Sequence, residues 1–126
     1  MFADVTQSPA ADAAGERLPR VGRRQTGERL EAALKTLADG HGQIVIHREI
    51  PWASITFAGT RHTLSMSFSG VAAVEGGDRL IAELPDHEFA IPGQLVADAQ
   101  VLSVDHALLP EPVLRVELEL LLLTEG

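Results

Sequence analysis

Cysteine is absent from the sequence, so the protein has no disulfide, no thiol nucleophile and no cysteine ligand for zinc or an iron–sulfur cluster. Tyrosine is absent too, and aromatic residues make up only 4% of the chain, which argues against a surface that stacks nucleic-acid bases. Apolar runs are short: residues 120–123 fall far below the about 20 residues that a membrane-spanning helix needs. The chain also begins without a basic and apolar signal segment, so we expect a cytoplasmic protein with no membrane partner.

Positive charge is scarce and unevenly placed. The chain has 18 acidic residues against 10 Lys and Arg, a formal net charge of −8 that repels phosphate backbones and makes nucleic acid an unfavourable partner. Residues 1–24 are rich in Ala, Pro and Gly, and they carry Arg17, Arg20, Arg23 and Arg24. We expect a flexible arginine-bearing tail over residues 1–24 and a single domain over residues 25–126. A nucleic-acid accessory function, one alternative for this protein, would reside in that tail.

A helix is the clearest local feature. The apolar residues that recur at the helical spacing are Leu30, Ala33, Leu34 and Leu37. They form one apolar face, which predicts a helix over about residues 27–39 that ends at Gly40.

After the helix, apolar and polar residues alternate with the period of a strand. The predicted strands are residues 43–50, 54–58, 62–69, 79–84, 95–104 and 113–122. Residues 79–84 also suit a helix, but Gly76 and Gly77 before them and Pro85 after them favour a short strand. The pattern predicts an α+β fold with one helix packed on a five- or six-stranded, mainly antiparallel sheet, and a curved half-barrel is the alternative.

The predicted strands at residues 54–58 and 62–69 read as a hairpin around Gly59 and Thr60. In the predicted strand at residues 43–50, strict alternation assigns three isoleucines to one face and three other residues to the opposite face. The first set is Ile44, Ile46 and Ile50, and the second is Val45, His47 and Glu49.

Chemically versatile residues concentrate around that hairpin and in one later loop. Trp52 would form the wall of a pocket, Arg61 would hold an anionic group, and His62 would transfer a proton or donate a hydrogen bond. The loop of Asp86, His87 and Glu88 is the second candidate, so the ligand-binding residues predicted are Trp52, Arg61, His62 and His87. Each of these positions also has an ordinary structural explanation: Trp52 would fill one end of the hydrophobic core, and the other residues would be solvent-exposed side chains in or beside turns.

Catalytic and cofactor motifs are missing. The sequence has no phosphate-cradling glycine loop, no nucleophile elbow and no zinc-protease helix motif. Its histidines are His41, His47, His62, His87 and His106, and their spacings match no metal-ligand pattern. We therefore expect no metal and no cofactor, and the sequence leaves open whether the protein is an enzyme.

The end of the last predicted strand is apolar on both sides. Leu118, Leu120 and Leu122 fill one face, and Leu121 and Leu123 replace the charged residues that precede them on the other. A strand end that is dry on both faces needs cover, so Leu121 and Leu123 are predicted to form a homodimer contact. The leading interpretation is thus a non-catalytic binding module that self-associates or binds a protein partner. The alternative is a small-ligand-binding protein or enzyme that uses the Trp52 pocket.

Overall fold

The computed structural model describes the backbone of residues 14–125 and the side chains of residues 25–125. In chain order its elements are α1 (Ala14–Leu37), β1 (Gln43–Ala53), β2 (Ala58–Ser69), α2 (Val71–Glu83), a short 3₁₀ turn (Leu84–Asp86), β3 (Gln94–Ala107) and β4 (Val113–Thr124). Residues 1–13 and Gly126 lie outside the described part, as do the side chains of Arg17, Arg20, Arg23 and Arg24. The flexible tail over residues 1–24 and the domain boundary after it stay predictions. No described helix is both long and apolar enough to cross a membrane.

The four strands form an open antiparallel sheet in the order β1-β2-β4-β3. Two hairpins, β1–β2 and β3–β4, meet along β2 and β4 at the centre of the sheet. The predicted α+β class with an antiparallel sheet is confirmed. The predicted inventory of one helix and five or six strands is wrong, since the described chain has two helices and four strands, and the open sheet is not a half-barrel.

The second helix, α2, replaces the strand predicted over residues 79–84. It includes Gly76 and Gly77, which the sequence pattern treats as breakers. A Cβ at Gly76 would lie 2.2 Å from the carbonyl oxygen of Ala38, and one at Gly77 would lie 2.6 Å from Leu114 Cδ2. The two glycines therefore let α2 approach both the end of α1 and the sheet, and burial of Val74, Leu80 and Leu84 compensates for their poor helix propensity.

Both helices pack on the same face of the sheet. The inward side chains of β2 and β4 alternate as the sequence predicts, and helix side chains fill the space above them. The buried cluster includes Leu30 and Leu34 of α1, Leu80 of α2, Leu64, Met66 and Phe68 of β2, and Leu114, Val116, Leu118, Leu120 and Leu122 of β4. The opposite face carries polar residues along the two central strands.

An extra residue in β1 breaks the strict alternation predicted for this strand, so that Ile44 no longer shares a face with Ile46 and Ile50. Ile44 pairs with Met66 and Ile46 pairs with Ser65, so the register shifts at Val45. Such a bulge moves every later side chain by one position relative to strict alternation. His47 and Glu49 consequently lie on the helix-covered face with Ile44, and Ile46 and Ile50 lie on the opposite face.

The β1–β2 turn lies earlier than predicted. Ala53 pairs with Ala58, and the backbone N–H of Ser54 donates to the carbonyl of Phe57 at 2.7 Å. The hydroxyl of Ser54 also accepts from the backbone N–H of Phe57 at 3.1 Å. Residues 54–57 form the turn, whereas Gly59 and Thr60 already belong to β2. This shift matters because it sets which residues of β1 lie opposite His62.

Candidate functional site

A chain of three polar side chains crosses from α1 to the centre of the sheet. Nδ1 of His47 on β1 lies 2.6 Å from Oε2 of Glu31 on α1. Nε2 of the same imidazole lies 2.8 Å from Nδ1 of His62 on the neighbouring strand β2. His47 is therefore held from both sides, by a helix and by a strand. The bulge in β1 is what turns it toward these partners.

The donor and acceptor roles in this row of three side chains follow from the carboxylate of Glu31 at one end. An ionised carboxylate accepts hydrogen bonds only, so Nδ1 of His47 carries the proton that is donated to Glu31. In neutral His47 the other nitrogen is then an acceptor, and His62 donates to it from Nδ1–H. Neutral His62 is left with an unprotonated lone pair on Nε2. That atom is buried and makes no hydrogen bond with any described side chain.

Among the side chains of residues 25–125, His62 is the polar one that is buried in the core, with 1% of its surface exposed. Burial, followed by repulsion from His47, lowers the pKa of His62 from 6.5 to about 4. The imidazole is thus neutral at physiological pH, and its free lone pair is available to a proton donor or a metal ion. A buried acceptor without a partner costs about 1–3 kcal/mol, which is unusual enough to require a functional or structural reason.

A half-open cleft of about 480 Å³ adjoins His62. It is bounded by the middle of α1, the β1–β2 hairpin, the segment before β3 and the end of β4. Its polar lining besides His62 consists of Gln25, Thr26, Arg29, Glu49, Thr60, Gln94, Thr124 and Glu125. The volume falls within the range of small-molecule sites, and polar groups from several elements converge on it.

Glu49 completes a trio of potential metal ligands with the two histidines. Its Oε2 lies 4.0 Å from Nε2 of His47, and one donor atom from each of His47, Glu49 and His62 falls within 4.8 Å of the others. Among the described side chains this is the one such group of three. A Cβ at Gly27 would lie 2.9 Å from Oε2 of Glu49, so the glycine in α1 makes room for this carboxylate.

The structure separates the residues that the sequence grouped around Trp52. His62 lies at the cleft, but Arg61 is its neighbour in β2 and points to the opposite face, where its guanidinium lies 3.6 Å from Glu119. Trp52 alternates with cleft-lining Pro51 and is half-buried on that opposite face as well. Of the four predicted ligand-binding residues, only His62 lines the cleft.

His87 lies in a different place. Its ring packs edge-on against Phe89 with the ring centres 4.6 Å apart. Together with Glu83, Asp86 and Glu88 it lines a shallow surface hollow that is separate from the cleft. The loop of Asp86, His87 and Glu88 therefore does not join His62.

Of the two predicted contact residues at the end of β4, Leu123 is covered within a single chain and Leu121 is only partly covered. Leu123 is 8% exposed and Leu121 is half-buried, although both lie on the face that the helices leave free. Leu123 is flanked across the strands by Gly59 and Leu95, and the long β3 strand extends beside this end of β4. The homodimer contact at Leu121 and Leu123 stays a prediction.

Sequence reasoning missed Glu31, His47 and Glu49. Alternation did place His47 and Glu49 on one face of their strand, but it gave no reason to turn that face toward the helix or toward His62. The missing signals were the bulge at Val45 and the true position of the turn. The chain matches no protein-family model, no curated protein sequence and no solved structure.

Proposed function

We propose that this protein binds a small polar ligand in the cleft beside His62. The observation that carries the proposal is the buried Nε2 of His62, a lone pair with no partner among the described side chains at the wall of a cleft of about 480 Å³. Native proteins rarely leave a buried acceptor unsatisfied. A ligand that presents a hydrogen-bond donor or a Lewis acid would satisfy it.

The surrounding groups support a ligand site over an accidental gap. Glu31 and His47 fix the tautomer and the orientation of His62. Oε2 of Glu31 lies 2.6 Å from Nδ1 of His47, and Nε2 of His47 lies 2.8 Å from Nδ1 of His62. Such support is what a preorganised binding site needs, because a side chain that is already fixed loses little entropy when the ligand arrives. The hydroxyl and amide groups of Thr60 and Gln94 line the same cleft and add hydrogen-bonding capacity.

The test uses the imidazole nitrogens as reporters. We would record long-range ¹H–¹⁵N spectra of the histidine rings of the full chain at neutral pH and add ethanolamine, glycerol and acetamide as small hydrogen-bond donors. We expect at least one of them to shift the His62 Nε2 resonance in a saturable way and to leave exposed His87 unchanged.

Two variants make this experiment specific. Thr124→Trp adds bulk at an exposed cleft position and should abolish the shift, whereas Thr36→Trp adds the same bulk at an exposed position of α1 outside the cleft lining and should not. If no added compound moves His62 more than His87, the proposal is wrong.

Self-association is a second candidate, and a different observation favours it. On the sheet face that the helices leave free, Ile46, Ile50 and Leu95 are 44%, 55% and 51% exposed. They lie on the two edge strands, β1 and β3, and exposed apolar side chains on an uncovered sheet face are typical of contact surfaces. Light scattering of the full chain at high micromolar concentration tests this candidate, and a monomeric mass would exclude it.

A further inference from the structure

We propose that the ligand of the cleft is a divalent transition-metal ion of the zinc class, held by His47, Glu49 and His62. The inference rests on the proposed function of the cleft beside His62, and it uses the other nitrogen of that ring: the ion binds Nδ1, the atom that lies 2.8 Å from Nε2 of His47, while Nε2 stays available to a small molecule. It also reverses the expectation from sequence spacing that no metal is bound, because the ligand set is assembled across two strands and not along one motif.

The distances between the donor atoms bracket those of a tetrahedral site. Zinc bonds of about 2.0–2.1 Å to nitrogen place two ligands of one tetrahedral ion about 3.3 Å apart. Nε2 of His47 lies 2.8 Å from Nδ1 of His62 and 4.0 Å from Oε2 of Glu49. The separation between the two histidine nitrogens is about half an ångström shorter than the tetrahedral value, and the separation between His47 and Glu49 is somewhat longer. Small side-chain rotations would therefore bring the three donor atoms to bonding distance of one ion.

The two imidazole rings are already as far apart as a shared ion requires. Their centroids are 5.1 Å apart and their planes are inclined by 51°. Two imidazoles on one tetrahedral ion have centroids about 5 Å apart, given the same bond lengths. Metal binding therefore needs the rings to tilt in place and needs no displacement of β1 or β2. The ion takes the place of the proton between the rings, and the proton of His62 moves from Nδ1 to the unpartnered Nε2 of the same ring, which keeps the imidazole neutral.

Glu31 has the position of the outer carboxylate that supports a metal-bound histidine. Its Oε2 accepts a hydrogen bond from Nδ1 of His47, which leaves Nε2 of that ring as the donor to the metal. Carboxylate–histidine–metal arrangements of this kind fix the tautomer and raise the basicity of the ligand. Glu31 is a positioning residue in this site, since it acts through His47.

The donor set selects the class of ion. Two imidazole nitrogens and one carboxylate oxygen suit zinc and its neighbours in the first transition row, whereas calcium and magnesium prefer sites built entirely of oxygen. Three protein ligands leave a fourth tetrahedral position open, as zinc sites that bind an exchangeable water or small molecule do. Because Glu49 and His62 line the cleft, an exchangeable ligand would reach the ion from there.

Gly27 gives an unusually clean way to disturb the site. Its Cβ would come within 2.9 Å of Oε2 of Glu49 and 3.5 Å of Cε1 of His47, with no backbone atom among the neighbours. A Gly27→Ala substitution displaces the carboxylate end of Glu49 without burying a charge or removing a ligand. It also suits a helix interior better than glycine does.

The experiment is a metal titration of the full chain after treatment with a chelator. Zn²⁺ would be followed by calorimetry and Co²⁺ by its visible absorption, which reports the coordination geometry. We expect one ion per chain and a tetrahedral Co²⁺ spectrum. His47→Ala and His62→Leu should each weaken binding by more than about 100-fold, and Glu31→Gln by about 10- to 100-fold.

Two further substitutions complete the design. Gly27→Ala should weaken Zn²⁺ binding without loss of circular dichroism, which separates a displaced ligand from an unfolded protein. His87→Ala, at an exposed position outside the cleft, should bind Zn²⁺ as the wild type does. If a histidine variant fails to fold, Glu31→Gln and Gly27→Ala still decide the question.

Two results would overturn the inference: wild-type protein that takes up no stoichiometric Zn²⁺ or Co²⁺, or binding that persists unchanged in the Glu31→Gln and Gly27→Ala variants. The ring spectra keep this failure distinct from failure of the proposed function. If Zn²⁺ does not bind but a small donor compound shifts His62, the metal inference falls and the ligand cleft stands. If neither ligand affects His62, both fall.

Discussion

Two helix glycines should respond in opposite directions to the same substitution. Gly27 of α1 and Gly76 of α2 both lie inside helices, and helix propensity alone predicts that alanine stabilises either one by about 0.5–1 kcal/mol. Their surroundings differ. The nearest atom to a new Cβ at Gly27 is the end of the Glu49 side chain at 2.9 Å, and at Gly76 it is the backbone oxygen of Ala38 at 2.2 Å.

The magnitude follows from whether the neighbour can move. The Glu49 carboxylate can rotate away, so Gly27→Ala should gain about 0.5 kcal/mol or more of stability from propensity. The Ala38 carbonyl cannot, because it belongs to the end of α1 and accepts a hydrogen bond from His41 N–H. Overpacking of this kind costs about 1–3 kcal/mol, so Gly76→Ala should be destabilised by about 0.5–2 kcal/mol after the propensity gain.

Thermal unfolding followed by circular dichroism, with chelator present, measures both variants against the wild type. In a domain of this size each kcal/mol moves the thermal midpoint by about 4–8 °C, so the opposite signs are readily resolved. If Gly76→Ala is as stable as the wild type or more so, close approach of α2 to Ala38 does not explain why a double glycine lies within a helix.

Three other predictions concern the site, the chain start and the sheet. In metal-free protein the free energy of unfolding should fall by about 3 kcal/mol through His62 as the pH falls from 6.5 to about 4. The reason is that the imidazole is protonated near pH 6.5 in the unfolded chain but only near pH 4 when it is buried, and above pH 6.5 the free energy of unfolding no longer depends on His62. Urea titrations of His62→Leu should lack that extra slope, and an identical slope in both proteins would show that His62 titrates normally. Deletion of residues 1–22 should move the thermal midpoint by no more than a few degrees, since this stretch of sequence offers no periodic apolar face; a larger drop would mean that the deleted residues are structural. If the protein is a homodimer, Leu121→Glu should halve the light-scattering mass of a folded chain, whereas Leu118→Glu, at a fully buried position, should unfold it.

Sequence periodicity by itself determined the parts of this fold whose residues alternate or repeat without interruption. The apolar face of Leu30, Leu34 and Leu37 marks the buried part of α1, and strict alternation marks β2 and β4. These elements could be predicted because each local pattern agrees with the way the element is buried. The two central strands, β2 and β4, can therefore be predicted without information from the rest of the chain.

Tertiary packing decided the second helix. Gly76 and Gly77 are weak helix formers, and from sequence they end any element that precedes residue 79. They are glycines because a Cβ would collide with the end of α1 at Gly76 and with the sheet at Gly77, and they are helical because α2 buries apolar side chains on either side of them. A preference of about 1 kcal/mol per glycine is smaller than the apolar burial that Val74, Leu80 and Leu84 gain there.

The candidate site, like the fold, could be predicted only in part from the sequence. The sequence singled out His62 by its residue type and placed His47 and Glu49 on one face of their strand, but it assigned His62 the wrong neighbours. Trp52 and Arg61 are close in sequence and lie on the opposite face, whereas Glu31 is remote and hydrogen-bonds to His47. One inserted residue at Val45 and a turn at residues 54–57 fix the register that brings the two histidines within 2.8 Å. Strand register depends on pairing and on what packs above the sheet, and both are properties of the folded chain that no local pattern encodes.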